Sequence, residues 1–306
     1  MATKILLTGS SGFIGSYLKF EKDIKSIVTR KNEVDNCKYN YKIDSLNGNT
    51  CWRNAFCGID CIIHLAGLAH SNKFTDSDYY SVNTQGTLKL ASDAAKAGVK
   101  RFVFVSTIGV NGSSTRPEKS FSYGSKVKPH NAYAKSKLDA ELGLKKLAKE
   151  TGLEIVIVRP TLVYGPNAPG NFGLLTRLVK NLPLLPFGLV KNQRSFIAVQ
   201  NLVDLLLTCA KHPNAAGYTF LASDCESVST KQFTNAIAKG LNKSVCQLSI
   251  PVSVMYLVAK LLGKQSIAEQ LLGNLEVDSS NAFDVMGWVP PYSMEQAMTL
   301  LSKEVK

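Results

Sequence analysis

The chain lacks the features that would mark a nucleic-acid-binding, secreted or membrane-spanning protein. Its Lys and Arg residues are spread along the sequence and form no basic run. Neither zinc-finger spacing nor an aromatic-basic motif is present, so nucleic acid is not an expected partner. The seven cysteines, at positions 37, 51, 57, 61, 209, 225 and 246, contain no C-x-x-C pair and are odd in number. With no signal peptide ahead of the first apolar run, a reduced, cytoplasmic setting is the expectation. No apolar run is long enough to span a bilayer. The segment from Val252 to Leu262 is quite apolar but short and interrupted by Lys260; it reads as a buried helix, with a peripheral membrane contact as the alternative. Acidic residues are scarce as well: 23 Asp and Glu against 36 Lys and Arg leave a net charge of +13. That field favours a dianionic small molecule such as a nucleotide sugar, a generally basic surface being the alternative. At 306 residues, 45% hydrophobic and 19% charged, the chain suits a soluble globular protein of one large or two modest domains.

What is present begins at the first residues. Ile5 to Leu7 is a short apolar run, followed by a turn carrying Gly9, Gly12 and Gly15, and then by an amphipathic stretch through Phe13, Ile14, Tyr17 and Leu18. This order reads as buried strand, tight turn and helix start. Glycines there let the backbone approach a pyrophosphate, and the free N–H groups of the helix N-terminus face it. The glycine spacing differs from G-x-G-x-x-G, and a purely structural turn is the alternative.

A second strand, Ser26 to Lys31, ends in Arg30 and Lys31, where a dinucleotide fold meets the adenosine ribose. An acidic residue there suits the 2′-hydroxyl of NAD and a basic one the 2′-phosphate of NADP, so the pair favours NADP(H), with NAD(H) possible and two solvated turn residues as the alternative. Tyr41 to Asp44 reads as a third strand, with Asp44 and Ser45 at its end near an adenine. Cys61 to His64 is a buried strand running into Leu65, Ala66 and Gly67, small enough for close cofactor approach. His64 reads as a packed core histidine; His70 is ambiguous. Tyr79 to Gly98 reads as one long helix. Arg101 to Val105 is a strand ending in the hydroxyls of Ser106 and Thr107. The repeated alternation of strand and helix gives an α/β fold with a doubly wound parallel sheet, whose ligands sit beyond the carboxyl ends of the strands.

A Gly-, Ser- and Pro-rich loop from Gly109 to Asn131 leads into a helix from Ala132 to Lys149, on which Tyr133 and Lys137 share one face. Hydride transfer to or from a carbon bearing oxygen must be matched by a proton on that oxygen. A phenol is a competent acid for this, and a lysine ammonium one turn away is expected to lower its pKa. A hydroxyl from Thr107 or Ser106 would hold the same oxygen. After the strand Glu154 to Pro160 the rhythm stops at Tyr164-Gly165-Pro166. The expected domains are 1–165 plus about 195–222 for the dinucleotide, and a smaller, mostly helical lobe of about 166–194 plus 223–306 for the substrate. Within these, Asn201 to Lys211 reads as a helix and Ala216 to Leu221 as a strand returning to the first sheet.

Thr8-Gly9-x-x-Gly12-x-x-Gly15, His64-Leu65-Ala66-Gly67, Tyr133 to Lys137, and Arg159-Pro160 before Tyr164-Gly165-Pro166 together resemble the extended short-chain dehydrogenase/reductases. Within these, the chain is similar to the nucleotide-sugar enzymes grouped with UDP-glucose 4-epimerase. The resemblance implies Tyr133 as acid/base, Lys137 tuning it and binding the nicotinamide ribose, and Thr107 orienting the sugar oxygen. It implies cofactor contacts along Gly9 to Gly15, at Leu65 to Gly67 and at Pro160, support from Asn83 beside the cofactor, and Asn171 and Arg194 on the UDP pyrophosphate. A homodimer through the helices of Tyr79–Gly98 and Ala132–Lys149 is also implied. Departures narrow the subgroup. Val110-Asn111-Gly112 replaces Val-Tyr-Gly, Pro160-Thr161-Leu162 follows Arg159, and no second Arg lies near Leu271 to Asp278. These features resemble reductases that complete UDP-N-acetylquinovosamine in bacterial lipopolysaccharide and O-antigen synthesis. The implied reaction is reduction of a UDP-2-acetamido-2,6-dideoxy-4-hexulose at C4. The alternative is a UDP-glucose or UDP-N-acetylglucosamine 4-epimerase with tightly bound NAD.

Overall fold

The computed structural model describes residues 3–30, 39–69, 71 and 73–302. Ten strands define the frame: β1 (Ile5–Thr8), β2 (Ile24–Thr29), β3 (Asn40–Lys42), β4 (Cys61–His64), β5 (Arg101–Val105), β6 (Glu154–Pro160), β7 (Leu162–Tyr164), β8 (Arg194–Ala198), β9 (Thr219–Ala222) and β10 (Ser227–Val228). The principal helices are α1 (Phe13–Leu18), α2 (Thr87–Lys96), α3 (Ala132–Thr151), α4 (Gly170–Asn181), α5 (Val199–Lys211), α6 (Thr230–Gly240), α7 (Val252–Leu261) and α8 (Gln265–Leu272).

Seven strands form one sheet in the order β9-β6-β5-β4-β1-β2-β3, every pairing parallel. The order reverses between β1 and β4, the crevice where a doubly wound sheet binds its ligand. Parallel strands covered on both faces read as continuous apolar runs, and Ile5, Leu6 and Leu7 are each fully buried. Their side chains alternate between two cores. Ile5, Leu7, Ile63, Val103 and Val156 pack with Leu202, Leu205 and Leu206 of α5. Leu6, Ile62, Phe102, Phe104 and Ile155 pack with Leu90 of α2 and Ala140 and Leu144 of α3. Period-two alternation thus sends each strand's residues to helices on opposite faces. A three-stranded sheet, β10-β8-β7, stands apart from the large one. With α4, α6 and the start of α7 it encloses a third core around Tyr164, Phe172, Phe196 and Phe233.

Several elements differ from the sequence reading. The second and third strands end at Thr29 and Lys42, short of Lys31 and Asp44. Lys31 and His70 lie outside the described residues. The expected continuous helix from Tyr79 to Gly98 is three pieces: a turn at Asp76–Tyr79, a π-helical stretch at Tyr80–Gly86, and α2. Widening to π geometry directs two successive side chains at α3, because Asn83 and Thr84 both bond Ser136. The largest correction concerns α7. Read as a buried helix, it has no buried residue; its apolar side chains outnumber the places the small lobe offers for them.

Candidate active site

The carboxyl ends of β1, β4 and β5 converge, and the local sequence explains how they can. Gly9 adopts φ +76°, and a Cβ on it would stand 2.7 Å from the Ala66 amide nitrogen. A Cβ on Gly15 would stand 2.1 Å from the Gly9 carbonyl oxygen. Both glycines are therefore required by close backbone approach. Gly12 caps α1 without a side chain, so no side-chain acceptor covers the first N–H groups of the helix at Phe13 and Ile14. Thr8 completes the junction: its Oγ1 accepts the Ala66 N–H at 3.2 Å and lies 2.7 Å from His64 Nδ1. His64 is held on its other nitrogen by Thr87 Oγ1 at 2.9 Å. Burial lowers its pKa to about 3, so it is a neutral core histidine, as its position in the apolar strand suggested.

Across the crevice, Asn83 ties the turn after β4 to the Tyr133 helix. Its Oδ1 accepts the Leu68 N–H at 2.7 Å, and its Nδ2 donates to Ser136 Oγ at 3.1 Å. A Cβ on Gly67 would meet Asn83 Oδ1 at 2.8 Å and Lys137 Nζ at 3.6 Å, so this glycine keeps open the space between them. Lys137 is 4% exposed; Nζ donates to the Val105 carbonyl at 2.9 Å and lies 4.7 Å from the centre of the Phe104 ring. Burial lowers its pKa to about 8, with Glu141 acting in the opposite direction. Tyr133, half-buried, meets Tyr79 edge to face at 6.0 Å. Here the expected direction is reversed. Burial, then Tyr79, pushes the phenol up to about 12, so Tyr133 holds its proton at neutral pH.

The two hydroxyls after β5 separate. Thr107 Oγ1 accepts the Gly109 N–H at 3.1 Å, leaving its own O–H to donate elsewhere. Ser106 is 3% exposed and its buried Oγ has no partner among the described residues. Its peptide N–H bonds Val158 O at 2.7 Å, which holds the residue against the end of the sheet. Leu65 and Ala66 are half-buried at the crevice, and Pro160 is buried at the end of β6. Arg30, Asp44 and Ser45 are exposed beyond β2 and β3. Asn171 and Arg194 lie in the other lobe, where both reach the end of α8: Asn171 Nδ2 donates to Gln270 Oε1 and Arg194 Nη1 to the Gly273 carbonyl at 2.8 Å.

One part of the arrangement escaped sequence reasoning. Glu141, one turn beyond Lys137, is 1% exposed and receives Arg159 Nε at 2.9 Å in a paired contact; Arg159 Nη1 also donates to Asn111 Oδ1 at 3.0 Å. The available signal was the spacing Tyr133, Lys137, Glu141, which sets three polar groups on one helix face.

This geometry fits a nicotinamide dinucleotide. The glycine turn offers uncovered amides to a pyrophosphate, and Gly67 leaves the floor open beside Lys137. Comparison with known proteins agrees. Residues 5–220 match the model of the NAD dependent epimerase/dehydratase family. The chain belongs to this family. A relative named UDP-glucose 4-epimerase, from Vibrio cholerae, is 38% identical over 97% of this chain and 93% of its own. One from Escherichia coli O157:H7, named as the 4-epimerase of N-acetylglucosaminyl-diphospho-undecaprenol, is 25% identical over 97% and 94%. The solved UDP-glucose 4-epimerase of Thermotoga maritima with UDP-glucose shares the fold at TM-score 0.76 and 20% identity, covering 98% of each chain. Other structures of this fold were solved with NAD or, in one case, NADPH. As an epimerase/dehydratase family member the chain is an enzyme with a Rossmann-like cofactor fold.

Proposed function

We propose that the enzyme acts at C4 of a UDP-sugar, reducing a UDP-2-acetamido-2,6-dideoxy-4-hexulose with NADPH in bacterial surface-polysaccharide synthesis. The nicotinamide, when bound, supplies the hydride. Tyr133, protonated at neutral pH, gives its proton to the C4 oxygen, and Thr107 donates a hydrogen bond that holds this oxygen in place. Lys137 sits between the Val105 carbonyl and Gly67, where it would bind the nicotinamide ribose. Gly9, Gly12, Phe13, Ile14 and Gly15 would cradle the pyrophosphate, with Leu65, Ala66, Asn83 and Pro160 lining the cofactor site and Asp44 and Ser45 at its adenine end. Asn171 and Arg194 would take the UDP diphosphate, which suits the forked donors of arginine. The observation that carries net reduction is Arg30, exposed at the end of β2 where the ribose 2′-position of a dinucleotide lies. A net reductase draws on a pool of reduced cofactor, whereas an epimerase recycles a bound one.

Epimerisation is the second reading, favoured by the name and identity of the Vibrio cholerae relative. Two measurements separate them: the identity of any cofactor released on denaturation, and the loss of NADPH absorbance with a 4-keto-6-deoxy UDP-sugar. Stoichiometric NADPH loss supports reduction. Tightly held NAD and sugar interconversion without net cofactor change would replace it with epimerisation. Because the Escherichia coli relative is named for a polyprenyl-linked sugar, the interconversion assay is also run with that carrier. We further infer that 1–165 plus about 195–222 hold the cofactor, that 166–194 plus 223–306 hold the sugar, and that the enzyme is a cytoplasmic homodimer. Sedimentation velocity tests the last point.

A further inference from the structure

Helix α7 is ten residues of mostly apolar sequence, none of them buried. Val254, Leu257, Val258 and Leu261 recur at the i, i+3, i+4, i+7 spacing of a single stripe and are 45%, 57%, 48% and 78% exposed. Leu262, in the turn to α8, is 68% exposed. The hairpin is nonetheless anchored. Val252 and Met255 on α7, with Leu271 and Leu272 on α8, pack on the core of the small lobe, and Ala268 is buried. The outward stripe is therefore presented by a fixed helix, and no described part of the chain covers it.

The chemistry around the stripe selects what covers it. Lys260 and Lys264 stand exposed on either side of the Leu261–Leu262 tip, and Tyr256 is partly exposed along α7. An apolar stripe bordered by lysines and a tyrosine suits a helix lying in the headgroup region of a bilayer. No helix among the described residues is long and apolar enough to cross a membrane, so the contact is one of lying on the surface. The local charge favours an anionic bilayer as the occupant: Lys260 and Lys264 flank the tip, and the net charge of +13 draws the chain to an anionic leaflet.

We propose that the α7–α8 hairpin docks the enzyme onto an anionic phospholipid bilayer. The base of the same hairpin carries Gln270, bonded to Asn171, and Gly273, bonded to Arg194. Docking therefore brings the diphosphate end of the substrate site close to the bilayer. This last consequence rests on the proposed role of Asn171 and Arg194; the docking itself does not.

The test is co-sedimentation of the full chain with phosphatidylcholine vesicles made with and without phosphatidylglycerol. The wild type should pellet with the anionic vesicles and be released by salt. The double variant Leu257→Glu, Leu261→Glu should lose binding by about tenfold or more while keeping its circular dichroism and its turnover of soluble substrate. The pair Lys260→Glu, Lys264→Glu should lose less. Hydrogen exchange on the wild type gives a readout free of variants, with protection on vesicle binding confined to residues 252–264. A wild type left in the supernatant overturns the proposal. So does a leucine variant that binds as tightly as the wild type, which would assign binding to the scattered basic surface. Conversion of a wild-type dimer to monomer by the leucine changes, with no vesicle binding in either, would instead assign the stripe to a second copy.

Discussion

Helices α3 and α7 reverse the arrangement their compositions suggest. The first is rich in Lys and Glu, yet it buries Lys137 and Glu141 together with Ala134, Ser136, Ala140 and Leu144. The second is largely apolar, yet none of its residues is fully buried and only Val252 and Met255 pack on the core. The difference lies in what each helix meets. The charged groups of α3 have partners: the Val105 carbonyl for Lys137 and the Arg159 guanidinium for Glu141. A buried charge is tolerated only when so satisfied. Helix α7 meets the small lobe along one edge, and apolar side chains beyond that edge have nothing of this chain to pack on.

The comparison can be broken first at the chemistry. Tyr133→Phe removes the proton donor while keeping the ring against Tyr79, and should lower turnover by about 10²–10⁴-fold with cofactor affinity retained. Unchanged turnover would remove Tyr133 from the mechanism. Next comes the buried pair. Glu141→Gln leaves Arg159 without its counter-charge and should cost about 3–5 kcal/mol in denaturant unfolding, much of it recovered in the double variant Glu141→Met, Arg159→Met. Glu141 also favours the ammonium form of Lys137. Activity that needs this ammonium falls as pH rises through about 8, so whatever Glu141→Gln remains folded should lose activity at lower pH than the wild type.

A smaller effect tests burial without a charge partner. His64 titrates near 3 in the fold, against 6.5 for an ordinary histidine. Between these values the unfolded chain binds a proton that the folded chain does not. Stability should therefore fall with falling pH by up to about 1.4 kcal/mol per unit, a component absent from His64→Gln. Unfolding curves at several pH values measure it. The smallest effect belongs to α7: Leu261→Ser should change stability by no more than about 0.5 kcal/mol, because the side chain is 78% exposed. A loss several times larger would show that the stripe is covered in solution.

Much of this was legible in the sequence because the signals are local. The run Ile5–Leu7 before three spaced glycines needs only its neighbours to specify strand, turn and helix. Tyr133 and Lys137 share a face by helical periodicity alone. What remained hidden depends on distant partners. Ser106 and Thr107 are adjacent hydroxyls, and only the pairing of β5 with β6 holds one against the end of the sheet and leaves the other at the crevice. The break into π geometry at Tyr80–Gly86 depends on Ser136, more than fifty residues away.

By itself, then, the sequence determined the doubly wound sheet, the glycine turn and the Tyr-Lys face, because periodicity and backbone sterics act over a few residues. Only the tertiary structure decided that the pKa of Tyr133 is raised and not lowered, that Glu141 and Arg159 lie paired beneath the site, and that α7 faces outward. Desolvation and packing depend on everything that surrounds a side chain, and most of those surroundings come from elsewhere in the chain.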